Sequence, residues 1–394
     1  MTSNKKEGGK STREHRPLEL YFHIPFCVRK CFYCDFLSAP ADEETRAAYM
    51  DALCRETAER AGAFSEYTVV SVFVGGGTPS AVETEQLVRL LDVVRRFYRL
   101  ATDVEITVEV NPGTADEQKL EQYRAAGINR LSIGLQSGND AELAAIGRIH
   151  NRRQFMDTYE GALAAGFENI NIDIMSALPG QTIESYRETL HMVLGLTPQP
   201  THISAYSLIL EEGTRFWELA EAGKLELPDE ETDRLMYSET GRILGEAGYE
   251  RYEISNYAKP GFRCRHNCGY WTRRDYAGFG IGAASLVDNV RFRNGEDLNA
   301  YLKQPLNCRE DRQILSRDEQ MEEFMFLGLR LTEGIDIRAF GEAFGCPPEA
   351  VYGEIIEKNR KEGLLEYREG RKKLALTERG LDISNYVMAQ FLLT

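Results

Sequence analysis

Three cysteines, Cys27, Cys31 and Cys34, stand in the run Tyr21-Phe-His-Ile-Pro-Phe-Cys27-Val-Arg-Lys-Cys31-Phe-Tyr-Cys34-Asp-Phe36, directly after a strand-like segment. Thiolates at C-x3-C-x2-C spacing in one loop can bind three irons of a [4Fe-4S] cube. Clusters held by cysteine ordinarily use four thiolates, so this loop leaves one iron open to a further ligand. A zinc site reads instead as paired C-x2-C units with a distant second pair, which is not found here. A disulfide framework requires a secreted context. Buried structural cysteines would not need the aromatic residues Phe26, Phe32, Tyr33 and Phe36 interleaved around them.

Further polar groups stand at the ends of other apolar runs. Gly75-Gly76-Gly77-Thr78-Pro79 follows Val69–Val74, and glycines there let backbone amides and carbonyls approach a ligand closely. A bare glycine run is also compatible with a plain tight turn. Glu109-Val-Asn-Pro112 ends the next run, where a carboxylate can accept two ribose hydroxyl bonds and the proline stops the strand. The competing reading is a surface glutamate before a helix. Gln136, Arg148 and Asp173 complete a polar set on the same rim. The Arg148 fork suits a carboxylate, or a plain salt bridge. Gly278-Phe-Gly280-Ile-Gly282 lacks the strand–helix context of a dinucleotide site and reads as close packing against a ligand or the barrel.

The elements that position these groups alternate. Strand candidates are Leu18–Ile24, Val69–Val74, Val104–Val110, Ile128–Leu135, Asn169–Met175 and His202–Ile209. Between them lie the helical stretches Glu43–Ala61, Glu85–Tyr98, Asp116–Ala126, Arg152–Ala165 and Ile183–Leu194. Ala-Gly followed by a new strand recurs at Gly127, Gly166 and Gly248, the punctuation of repeated βα units. Thr114-Ala-Asp-Glu117 reads as a capping box. Such alternation predicts a parallel sheet with crossover helices, and in barrel-like α/β sheets sites assemble on the C-terminal rim. Residues 1–16 read as a polar, disordered tail, 17–228 as the α/β barrel and 229–305 as an extension of it. A linker is expected around Gln304–Asp311, and residues 306–394 read as a helix-rich, winged-helix-like domain.

The runs Tyr21–Phe36, Gly75–Pro79, Glu109-Val-Asn-Pro112 and Asn171-Ile-Asp173…Leu178-Pro-Gly-Gln181 together resemble the oxygen-independent coproporphyrinogen III oxidase family of the radical S-adenosylmethionine (SAM) superfamily. The resemblance spans about Leu18 to the C-terminus. It implies a partial (β/α)6 barrel, and SAM on the open iron through its amino and carboxylate groups. It also implies Tyr21, Tyr33, Gly76, Gly77, Thr78, Glu109, Gln136, Arg148 and Asp173 as SAM-contacting positions. The oxidases carry a fourth cysteine, C-x3-C-x2-C-x-C, where this chain has Asp35-Phe36, and a longer N-terminal extension where this chain has a short polar tail. His266-Asn267-Cys-Gly-Tyr270-Trp271 is similar to the H-N-x-x-Y-W signature of the haem chaperone branch. His266 is therefore a candidate axial ligand for haem, or a residue bracing the barrel mouth.

These features point to a haem carrier that holds a [4Fe-4S] cluster, SAM and haem and serves haem-acceptor proteins such as respiratory-chain components. The alternative is oxidative decarboxylation of coproporphyrinogen III. The acidic balance of 62 Asp and Glu against 47 Lys and Arg argues against nucleic acid as a partner and disfavours a winged-helix regulator. Eight cysteines without a signal peptide suit the cytoplasm. No apolar run reaches the ~18 residues that span a bilayer, which leaves peripheral membrane association open.

Overall fold

The computed structural model describes residues 15–393. The expected tail falls almost wholly outside them, and Arg16 already opens the first strand. Six strands run parallel and in chain order: β1 (Arg16–Ile24), β2 (Tyr67–Gly76), β3 (Leu100–Val110), β4 (Arg130–Gln136), β5 (Asn169–Ser176) and β6 (His202–Ser207). The crossovers are α1 (Glu43–Arg60), α2 (Thr84–Phe97), α3 (Glu117–Ala125), the pair α4 (Asp140–Ala145) and α5 (Arg152–Ala164), and α6 (Ile183–Leu194). A parallel strand covered on both faces loses its alternation of buried and exposed positions. All seven residues of β4 are buried.

The six strands do not close into a ring. After α7 (Arg215–Glu221) and α8 (Glu230–Glu246), the short strands β7 (Glu250–Arg251) and β8 (Asn256–Ala258) extend the β6 edge antiparallel. Beyond the β1 edge, past α9 (Arg265–Trp271), β9 (Tyr276–Phe279) pairs parallel with β1. β10 (Ala284–Val287), β11 (Val290–Asn294) and, after α10 (Leu298–Lys303), β12 (Arg309–Ile314) follow antiparallel. The result is one sheet of twelve strands with an open barrel at its centre.

Two local expectations are corrected. The helix after Glu109-Val-Asn-Pro112 is capped by Asp116, whose side chain accepts from Lys119 N at 2.9 Å. Thr114 instead donates to Asn111 O at 2.6 Å. The stretch 304–311, read as a linker, contributes to β12, every residue of which is exposed. Gly127, Gly166 and Gly248 all have φ near +80°, as helix-ending glycines require.

The C-terminal body begins at α11 (Arg317–Gly328) and holds α12 (Ile337–Phe344), α13 (Glu349–Lys361), α14 (Glu378–Asp382) and α15 (Ser384–Ala389). Its three-stranded sheet orders β13 (Ile335–Asp336), β15 (Lys373–Leu376) and β14 (Leu365–Arg368). A separate core of Met325, Leu329, Phe340, Tyr352, Ile356, Leu374 and Phe391 holds it together. This is the expected winged-helix-like layout, and it is docked on the barrel extension through α11 and α9.

Candidate functional site

At the C-terminal ends of the parallel strands lies a cleft of about 640 Å³. It is lined by Cys27, Cys31 and Cys34 and by all nine positions expected around SAM: Tyr21, Tyr33, Gly76, Gly77, Thr78, Glu109, Gln136, Arg148 and Asp173. Each barrel strand brings its own group to this rim, which is why residues as far apart in sequence as Tyr21 and Tyr206 meet here.

The cysteine loop leaves β1 and is tied back by a bridge between Phe26 and Ala39, with Cys27 N donating to Ala39 O at 3.2 Å. All three thiols are free and half-buried. Among the described residues no group of three His, Cys, Asp or Glu converges to hold a single metal ion. The residues present fit a cluster that places each thiolate on a different iron. Thr78 Oγ1 donates to Cys27 Sγ at 3.5 Å, and Arg148 Nη1 points at Cys31 Sγ at 3.8 Å. Hydrogen bonds to the sulfurs are among the levers that tune cluster thiolates.

Arg148 is held by neutral partners rather than by the salt bridge considered above. Its Nη2 donates to Asn111 Oδ1 at 2.7 Å and to Gly134 O at 2.6 Å. Asn111 Nδ2 in turn donates to Thr78 Oγ1 at 2.6 Å, so one network reaches two of the three cysteine sulfurs. None of its hydrogen-bond partners is a carboxylate, so the guanidinium brings an uncompensated positive charge to the cleft.

The glycine turn is sterically required. A Cβ on Gly77 would lie 2.7 Å from Phe26 O, and one on Gly76, at φ +113°, would lie 2.5 Å from the His23 ring. His23 is itself fixed by Tyr21 Oη at 3.0 Å and Leu37 O at 2.8 Å. Gly76 N donates to Glu109 Oε2 at 3.1 Å. Burial, and then the neighbouring Asp173 carboxylate, push Glu109 up to about 8. Asp173 is also raised by burial, against hydrogen bonds from Asn171 and Ser204. Gln136 takes φ +69°, which non-glycine residues seldom adopt. A break in the β4–β5 register there turns it towards the cleft, where its Oε1 accepts from Tyr206 at 3.1 Å.

Sequence reasoning missed the cleft floor. Arg130, Ser132, Asn171, Ser204 and Tyr206 line it, each in register two residues from a strand neighbour on the same face. Polar residues at period two within otherwise apolar strands were the available signal.

His266 does not line the cleft. It is 1% exposed, and its ring is stacked on Phe73 with centroids 5.1 Å apart. Nδ1 meets Ser71 Oγ at 2.9 Å and Nε2 meets Tyr270 Oη at 3.0 Å, leaving neither nitrogen free for iron. Burial, with Arg130 and Arg274 nearby, lowers it to about 3, so it is neutral. The expectation of an axial haem ligand is corrected to the bracing role. The next residue, Asn267, does reach the cleft.

An open α/β barrel carrying a three-cysteine loop and this polar rim defines a member of the radical SAM superfamily. Residues 21–193 match the family model described as Radical SAM superfamily, and residues 315–383 match the HemN C-terminal domain. The protein named Heme chaperone HemW of Lactococcus lactis is 38% identical over 379 residues, covering 96% of this chain and 98% of that one. The protein of the same name from Bacillus subtilis is 35% identical over 382 residues, covering 94% and 98%. The chain belongs to the HemW family. Among solved structures, coproporphyrinogen III oxidase (HemN) from Escherichia coli shares the fold, with a TM-score of 0.83 at 24% identity over 97% of this chain and 92% of that one.

Proposed function

We propose that this protein is a cytoplasmic haem chaperone: it holds a [4Fe-4S] cluster and SAM in the cleft, binds haem, and passes it to acceptor proteins. The observation that carries the reading is the full-length relation to proteins named heme chaperones, together with Phe36 in place of the oxidases' fourth cysteine. Cys27, Cys31 and Cys34 would hold the cluster. Such a cluster supplies a low-potential electron and an open iron for the SAM amino and carboxylate groups. Arg148 would then face the SAM carboxylate, the Gly75–Gly77 backbone the amino group, and Glu109 the ribose hydroxyls. Tyr21, Tyr33, Gln136 and Asp173 complete the wall.

The oxidase alternative remains a second reading, favoured only by the shared fold. The two separate in one experiment. Protein reconstituted anaerobically with iron and sulfide is titrated with haem, and in parallel incubated with coproporphyrinogen III, SAM and reductant. A saturable Soret change without decarboxylated product is expected. Turnover to protoporphyrinogen would overturn the chaperone reading.

A further inference from the structure

A second cavity, of about 680 Å³, lies beside the cluster cleft and shares Tyr21, Asp35 and Phe36 with it. Small-molecule pockets run from about 300 to 1,000 Å³. Its wall comes from four places far apart in sequence: Phe36 and Leu37 of the cysteine loop, Tyr270 and Trp271 of α9, Tyr276 and Arg291 of the β9–β11 extension, and Phe326 of α11. Phe36 is 60% exposed, so an apolar ligand would bury it further. Tyr21 apart, no residue assigned to the cluster or SAM lines this space.

The charged side chains on the wall are Asp35, which the cluster cleft shares, and Arg291. Glu323 takes hydrogen bonds from both Arg273 Nε, at 3.0 Å, and Arg291 Nη2. Two guanidiniums on one carboxylate leave a net positive charge, and Arg291 lines the cavity. Tyr270, its hydroxyl fixed by His266, stands edge-on to Tyr276, with centroids 4.7 Å apart and planes at 88°. The chemistry that matches this wall is a broad apolar plane with an anionic edge.

We propose that this cavity is where the tetrapyrrole sits, with a propionate against Arg291. The inference rests on the haem-carrying reading and assigns that reading a place. It also gives the His266–Trp271 run a physical task. α9 is the partition between the two cavities, with Asn267 on the cluster side and Tyr270 and Trp271 on the haem side. His266 acts as a positioning residue that holds the Tyr270 wall.

The test uses two variants of the reconstituted full-length protein. Ala284 is exposed at the rim of the cavity, so Ala284→Trp fills the space from its mouth. Haem affinity should fall at least tenfold, while iron content and SAM affinity match wild type. Arg291→Gln, at a partly exposed side chain, should weaken haem severalfold and leave haem dimethyl ester unaffected, which also covers the case of a poorly folding Ala284→Trp. Haem bound as tightly by both variants as by wild type would overturn the assignment. Wild-type protein that binds no haem would remove the underlying reading, and the assignment with it.

Discussion

One hydrogen-bond network, from Arg148 through Asn111 to Thr78, ends on the sulfurs of Cys31 and Cys27, so the cysteine loop and the polar rim are mechanically one unit. Replacing any of Cys27, Cys31 or Cys34 with serine should abolish the brown chromophore and the bound iron, whereas Cys54, Cys308 and Cys346 should be replaceable without loss. Full iron retention in the triple serine variant would refute the cluster assignment. Glu109→Ala should weaken SAM binding by ~1–3 kcal/mol, the scale of a lost charge-assisted hydrogen bond, with iron content unchanged; calorimetry decides it. Glu109 also makes a pH prediction. Its folded carboxyl is raised to about 8, so the native state retains a proton that the unfolded chain has released. The stability this supplies is complete at acid pH and is lost as pH rises through about 8. Denaturant midpoints measured at pH 5 and pH 9 should therefore show Glu109→Gln gaining on wild type at the higher pH. A difference between the two proteins that does not change with pH would contradict this account of the buried carboxyl.

The element whose sequence and structure diverge most instructively is α9. Its spacing of His, Asn, Tyr and Trp was legible, yet the role of His266 was not, because axial ligation and buried bracing use the same neutral imidazole. Only the positions of Ser71 and Tyr270 separate them. His266→Ala leaves two buried hydroxyls without partners, which should cost about 1–3 kcal/mol, while the Soret maximum of bound haem stays where it is in wild type. A shifted Soret band in this variant would return His266 to the iron. Gly269 reports on the same helix: a Cβ there would sit 1.9 Å from Glu19 Oε1, a buried carboxylate paired with Arg274. Gly269→Ala should destabilise by ~1–3 kcal/mol through overpacking, read from the denaturant midpoint. The crossover helices were plain from periodicity, and α6 has the expected limits, Ile183–Leu194. β12 was hidden because Arg309-Glu-Asp-Arg-Gln313 carries charge on both faces of an exposed edge, which reads as a linker in the absence of its partner strand.

The whole molecule combines an open barrel, a lateral extension of its sheet and a winged-helix-like domain whose α11 lines the second cavity. The barrel order and the rim residues could be read from the sequence because each βα unit repeats the same punctuation. The second cavity could not, since Phe36, Trp271 and Phe326 carry no joint pattern until the fold brings them together. Among the described residues no helix is long and apolar enough to cross a membrane. The position of α11 suits a covering task for the C-terminal domain better than a duplex-reading one, as does the formal net charge of −15. The central claim is that haem is carried and handed on. Its most direct measurement mixes the reconstituted, haem-loaded protein with an apo-form of a respiratory-chain haem protein and follows the Soret band of each after separation. The account predicts that haem leaves this chain and appears in the acceptor, faster than release into buffer allows. Haem that remains with this chain, or reaches the acceptor no faster than it is released into buffer, would contradict it.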